Sequence, residues 1–188
     1  MDRISPFDLV ILLALMAMFI IGYAQGVVRR LLGIAAILFS LIVAAQLRAP
    51  LGDYLTQQWE GIVPSYSQMV AFGAVFIAAA VTLSLGIQIT YRPAPLFQRS
   101  PVLDEILGGI LGVLEGFLIL IAIILILDPH YNQPSVQAQV GTGEFTLLRD
   151  LHARLNESVV VDALRSNVIP ALLTVFGILF PQDVRDAF

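Results

Sequence analysis

Four stretches of the chain, residues 7–24, 31–47, 69–89 and 106–127, are so nearly free of charge that water is a poor solvent for them. A hydrocarbon layer of about 30 Å takes roughly 20 apolar residues of α-helix to cross, and a helix satisfies its own backbone polar groups there. Each stretch approaches that length, so the chain reads as an all-α polytopic membrane protein with four transmembrane helices. Composition agrees, since 58% of the 188 residues are hydrophobic and 13% charged, against about a quarter charged in soluble domains. The first stretch ends in the small-x-small triplet Gly22-Tyr23-Ala24, as a cleaved signal peptide would. Its leading residues Met1-Asp2-Arg3 are hardly positive, which favours a retained helix.

The first two segments meet at Gly26 and read as a helical hairpin. Orientation follows from arginine in the short connections. Arg29, Arg30, Arg92 and Arg99 fall in the first and third connections, opposite Arg3 and Arg48. Both termini are therefore expected to face away from the cytoplasm. Tyr54, Trp59 and Tyr66 read as outer interface anchors, and Tyr23 and Tyr91 as inner ones. Between helices two and three, Pro50, Leu51, Tyr54, Leu55, Gln58 and Trp59 suit either a short helix lying flat on the outer surface or an irregular loop.

Three regions follow: a transmembrane body over 1–128, a linker over 129–144 marked by Pro129, Pro134, Gly141 and Gly143, and an amphipathic or interfacial C-terminal tail over 145–188. In the tail, Phe145, Leu147, Leu148, Leu151 and Leu155 recur at helical spacing against Arg149, Asp150 and Arg154. The apolar run 168–180 is broken by Pro170 and Gly177 and is too short to span. The tail is expected to lie extracytoplasmically, on the membrane face or against a partner.

Gly108, Gly112 and Gly116 recur every fourth residue and make one smooth stripe on the fourth helix. Small residues at this spacing let helix backbones approach closely in lipid, where no hydrophobic drive joins helices. Gly22 and Gly26 repeat the spacing in the first helix, so the first and fourth helices are expected to pack. Glu115 lies only about 20° round from Gly108 on the helical wheel, hence on the glycine face. Counted from Ile106 it is roughly 14 Å deep, level with Ser40 and Thr82, and the three suggest a polar layer. With no embedded basic partner in view, Glu115 is expected to be protonated and to donate a hydrogen bond between helices. Asp8 reads as a helix N-terminal acid.

Two blocks carry a family resemblance. Asp8 and its apolar run, ending in Gly22-Tyr23-Ala24-Gln25-Gly26-Val27-Val28-Arg29-Arg30-Leu31, resemble the first helix and turn of the CvpA (colicin V production protein) family. Asp104-Glu105-Ile106-Leu107-Gly108-Gly109-Ile110-Leu111-Gly112-Val113-Leu114-Glu115-Gly116 is similar to the start of that family's fourth helix. The resemblance covers residues 7–128. It implies a four-helix inner-membrane protein, linked in some bacteria to colicin V export and in other members to an outward-facing serine protease fused after the fourth helix. The chain departs from the pattern at charge: Glu115 stands where the family commonly has a basic residue, and Gln25 and Glu105 where it often has another.

Chemistry is sparse. There is no cysteine, and the two histidines, His130 and His152, lie 22 positions apart without a second ligand pair. No nucleophile elbow, phosphate-binding loop or dinucleotide fingerprint occurs, so neither enzyme nor cofactor is expected. A net charge of -4 argues against nucleic acid. The remaining readings are a non-enzymatic membrane scaffold or accessory subunit, with membrane lipids and other membrane or extracytoplasmic proteins as partners, and a small proton- or ion-linked transporter using Glu115.

Overall fold

A computed structural model describes residues 5–59, 62–90, 101–132 and 145–176. The described residues are helical throughout apart from short joints. Four helices are long and apolar enough to cross a membrane: α1 (Pro6–Gln25), α2 (Val27–Gln58), α3 (Pro64–Thr90) and α4 (Pro101–Tyr131). Three of them start on proline, whose missing N–H costs nothing in a first turn and whose fixed φ suits it. Ser5 completes the start of α1: its hydroxyl accepts from Asp8 N–H, and the Asp8 carboxylate accepts from Ser5 N–H at 2.8 Å, a reciprocal capping box.

A single residue joins α1 to α2. Gly26 has φ 75°, a conformation that side chains resist, and a Cβ there would also strike the Asp104 carboxylate. The helices separated by this joint do not form the expected packed hairpin. Instead α1 lies along α4, α2 lies along α3 and also against α4, and α1 and α2 hardly touch. The core centres on Leu41, Ala44, Ala45, Phe72, Ala122, Ile124 and Leu125, all at most 1% exposed.

Neither alternative for the segment after Pro50 holds. The second helix runs through Pro50 to Gln58 and is 32 residues long. Its extension beyond Pro50 is gripped by α3: a Cβ on Gly52 would lie 2.7 Å from Gln68 Cα, and Gln68 donates to Asp53 at 3.3 Å. One lost backbone hydrogen bond at Pro50 is outweighed by this close packing. The fourth helix likewise continues through Pro129 to Tyr131, so the linker does not begin at residue 129. Residues 133–144 lie outside the described residues.

The tail folds as α5 (Thr146–Asn156), α6 (Val159–Ala163), a π turn over Leu164–Val168 and α7 (Ile169–Phe176). Leu155, Val161, Leu164 and Ile169 join the same apolar cluster as the transmembrane helices. It therefore packs on the body of its own chain. Of the apolar residues assigned to the inner face of α5, Leu148, Leu151 and Leu155 face the core, but Phe145 and Leu147 point outward. His152 takes the inward place instead, drawn by polar partners that spacing alone does not reveal.

Candidate functional site

The seam between α1 and α4 is built where side chains are absent. A Cβ on Gly22 would collide with the Gly108 carbonyl, one on Gly112 with the Met18 carbonyl, and one on Gly108 would come within 2.9 Å of Gly26 Cα. Gly116 faces the side chains of Leu15 and Met18, and Gly109 faces the Phe19 ring. At the Gly26 end of the seam the Tyr23 hydroxyl hydrogen-bonds to Glu105.

Glu115 turns from this seam toward α2. Its carboxylate accepts from the Arg30 guanidinium, with the two side chains 13% and 6% exposed. Gly33 makes the room, since a Cβ there would lie 2.7 Å from Glu115 Oε1. This overturns the expectation that Glu115 lacks a basic partner and is a neutral donor. Arg29 and Arg30 are not loop residues: the one-residue turn at Gly26 puts both inside α2, and Arg30 is buried. Arg48 is likewise within α2 and buried, whereas Arg92 and Arg99 lie outside the described residues. The Glu115 carboxylate is level with Gly33 of α2.

The polar layer does not form. Ser40, wholly buried, donates to its own helix at Ala36 O, 2.7 Å away. Thr82 lies on the exposed face of α3 and donates to Ala78 O, also at 2.7 Å. A hydroxyl four residues past a carbonyl satisfies itself locally and needs no partner across the bundle.

A second polar cluster, at the opposite end, went unrecognised in the sequence. Asp128, 1% exposed, receives Arg165 through both oxygens, Nε to Oδ2 at 2.7 Å and Nη2 to Oδ1 at 2.6 Å. Arg165 Nη1 donates to Asn156 Oδ1 at 2.6 Å, the Asn156 amide lies 3.5 Å from His152 Nδ1, and His152 Nε2 lies 3.2 Å from Asp128 Oδ1. Four side chains from α4, α5 and the π turn thus close a ring. The Asn156 amide and the Asp128 carboxylate thus flank the two ring nitrogens of His152.

Beside the ring, aromatic groups stack in series. Tyr66 meets His130 edge-on at 5.4 Å, His130 meets Tyr131 at 4.8 Å, and Tyr131 stacks on His152 at 5.0 Å. His130 Nδ1 lies 3.0 Å from Ser65 Oγ, and the Tyr66 hydroxyl accepts from Phe145 N–H at 2.9 Å. Tyr66 is fully buried, so it is an internal strut and not an interface anchor. The two histidines, remote in sequence, come together here, yet among the described residues no group of three or more His, Asp or Glu could hold a metal ion.

Asp8 carries a third tie. Besides capping α1, its Oδ1 accepts from Ser158 Oγ at 2.5 Å and from Val160 N–H at 3.4 Å. Ser158 in turn caps α6, accepting from Val161 N–H. One carboxylate therefore serves the N-termini of two helices that lie 150 residues apart, placing negative charge at the positive ends of both. The helix-acid reading of Asp8 captures half of this.

Four apolar spans, a Gly-seamed α1–α4 pair and a helical tail make up the described architecture. The model of the Colicin V production protein family matches residues 7–168. The chain belongs to that family. The match passes Asp128 and takes in α5, α6 and the π turn, well beyond the 7–128 over which motifs alone suggested it. No curated protein and no solved structure matched.

Proposed function

We propose that this protein is a non-enzymatic scaffold or accessory subunit of the bacterial inner membrane, organising partner proteins in the colicin V production that gives its family its name. The observation that carries the reading is the Arg30–Glu115 pair: the embedded acid is enclosed against a guanidinium and joins α4 to α2. An acid so held is a poor proton carrier, because releasing it for transport strands a buried charge. Two other internal ions, Asp8 and Asp128, also join one helix to another. In this reading both termini face away from the cytoplasm, and the Asp128 ring lies on the extracytoplasmic side.

Purification in mild detergent is the test. A scaffold retains a stoichiometric partner or self-associates, whereas a strictly monomeric protein without companions refutes the reading. In liposomes Glu115→Gln separates the transport alternative, for which proton or ion flux should vanish with the carboxyl.

A further inference from the structure

We propose that the C-terminal arm, the π turn with α7, is itself seated in lipid, half-inserted into the leaflet where α1 begins and α4 ends. Depth is the first observation. The seam sets Leu15 against Gly116 in an antiparallel pair; seven residues back along α1 is Asp8, and seven forward along α4 is Ile123. Asp8 therefore lies about five residues, roughly 7 Å, deeper than Asp128. Ser158 is bonded to Asp8, so α6 starts below the outer end of α4, tied to the residue that precedes the exposed Leu9 and Val10. The arm continues that belt.

Charge is the second observation. Among the described residues of the tail, the exposed charges, Asp150, Arg154, Glu157 and Asp162, precede Leu164. Arg165 is held on both Asp128 oxygens, and residues 166–176 contain no charge at all. Over that stretch Val168 and Val175 are 41% and 71% exposed. An eight-residue α7 is about 12 Å long, enough to enter a leaflet and far too short to cross.

Third, the exposed polar groups of the arm bond to their own helix. Ser166 donates to Asp162 O at 2.9 Å, Asn167 to Ala163 O at 3.1 Å and Thr174 to Pro170 O at 2.8 Å. Thr82, on the lipid-facing side of α3, does the same. Surroundings without water require this internal matching. The 76° bend between α5 and the segment Val159–Val175 lets a polar α5 stay at the surface while the arm turns inward.

The chain has no cysteine, so single cysteines carry spin labels without background. Labels at Val168, Ala171 and Val175 in the full-length protein in nanodiscs would be compared with Ile77 on α3 as the lipid standard and Arg154 as the water standard. The expected result is an oxygen-to-nickel-chelate accessibility ratio at the three arm positions several-fold above Arg154 and close to Ile77. A ratio equal to that at Arg154 places the arm in water and overturns the proposal. Shielding from both reagents also overturns it, because a protein then covers the arm. All three side chains are at the surface, and an unchanged gel-filtration profile verifies that each variant is folded.

Discussion

The two ends of α1 are held by opposite means. Toward its C-terminus the helix is fixed by what is missing: Gly22 and Gly26 meet Gly108 and Gly112 backbone to backbone, and dispersion over that smooth contact does the holding. At its N-terminus it is fixed by a charge, with Asp8 shared between its own cap and Ser158. Between these points α1 exposes Leu12, Leu13, Met16 and Ile20. The contrast separates two kinds of tie in apolar surroundings. Small residues give close approach with tolerance for sliding, and buried ions give a fixed address with a large penalty for a missing partner.

Ways to break that contrast can be ranked. Glu115→Ala leaves the Arg30 guanidinium buried alone and should destabilise the protein by about 3–5 kcal/mol, seen as early unfolding in a detergent or denaturant titration. Replacing both partners, Arg30→Met with Glu115→Leu, should recover most of that loss, since well-packed apolar groups often serve as well as a buried pair. Failure of the double variant to recover would mean that the charges do more than join helices. Gly112→Leu should cost about 1–3 kcal/mol or more and specifically weaken cross-linking between cysteines placed on α1 and α4. Asp8→Ala removes the acceptor for Ser158 and should cost about 1–3 kcal/mol, with faster proteolysis of the tail and an intact α1–α4 seam. If the seam opens as well, the two ties are not independent. Thr82→Ala should change stability by less than about 0.5 kcal/mol, because its hydroxyl bonds only to its own helix.

Much of this architecture is written plainly. The four spans follow from apolar length, and the face of Glu115 follows from its seven-residue distance to Gly108. Its partner was hidden by a rule that serves well elsewhere. Arginines near helix ends are counted as loop charges that set orientation, and Arg30 escapes the count because a one-residue turn leaves no loop for it to occupy. Pro50 misled similarly, since proline normally marks a helix boundary, and only the fit of Gly52 against Gln68 shows why the helix continues. Partners in the polar ring, Asp128 and Arg165, are separated by 37 positions. No periodicity links them, and no single-sequence pattern could. Prolines also stand at the starts of α1, α3 and α4, a boundary signal that apolar length alone passes over.

The bond from Asp8 to Ser158 also sets a clock. A ribosome working at about 5–20 residues per second delivers the hydroxyl some 150 positions after the carboxylate, an interval of roughly 8–30 s. Throughout that time the first span sits in the bilayer with its acid served by Ser5 alone. Ser158 and the helix it caps thus complete the seating of the first span, and a chain truncated before Ser158 would carry the four apolar spans yet leave the opening one without that tie.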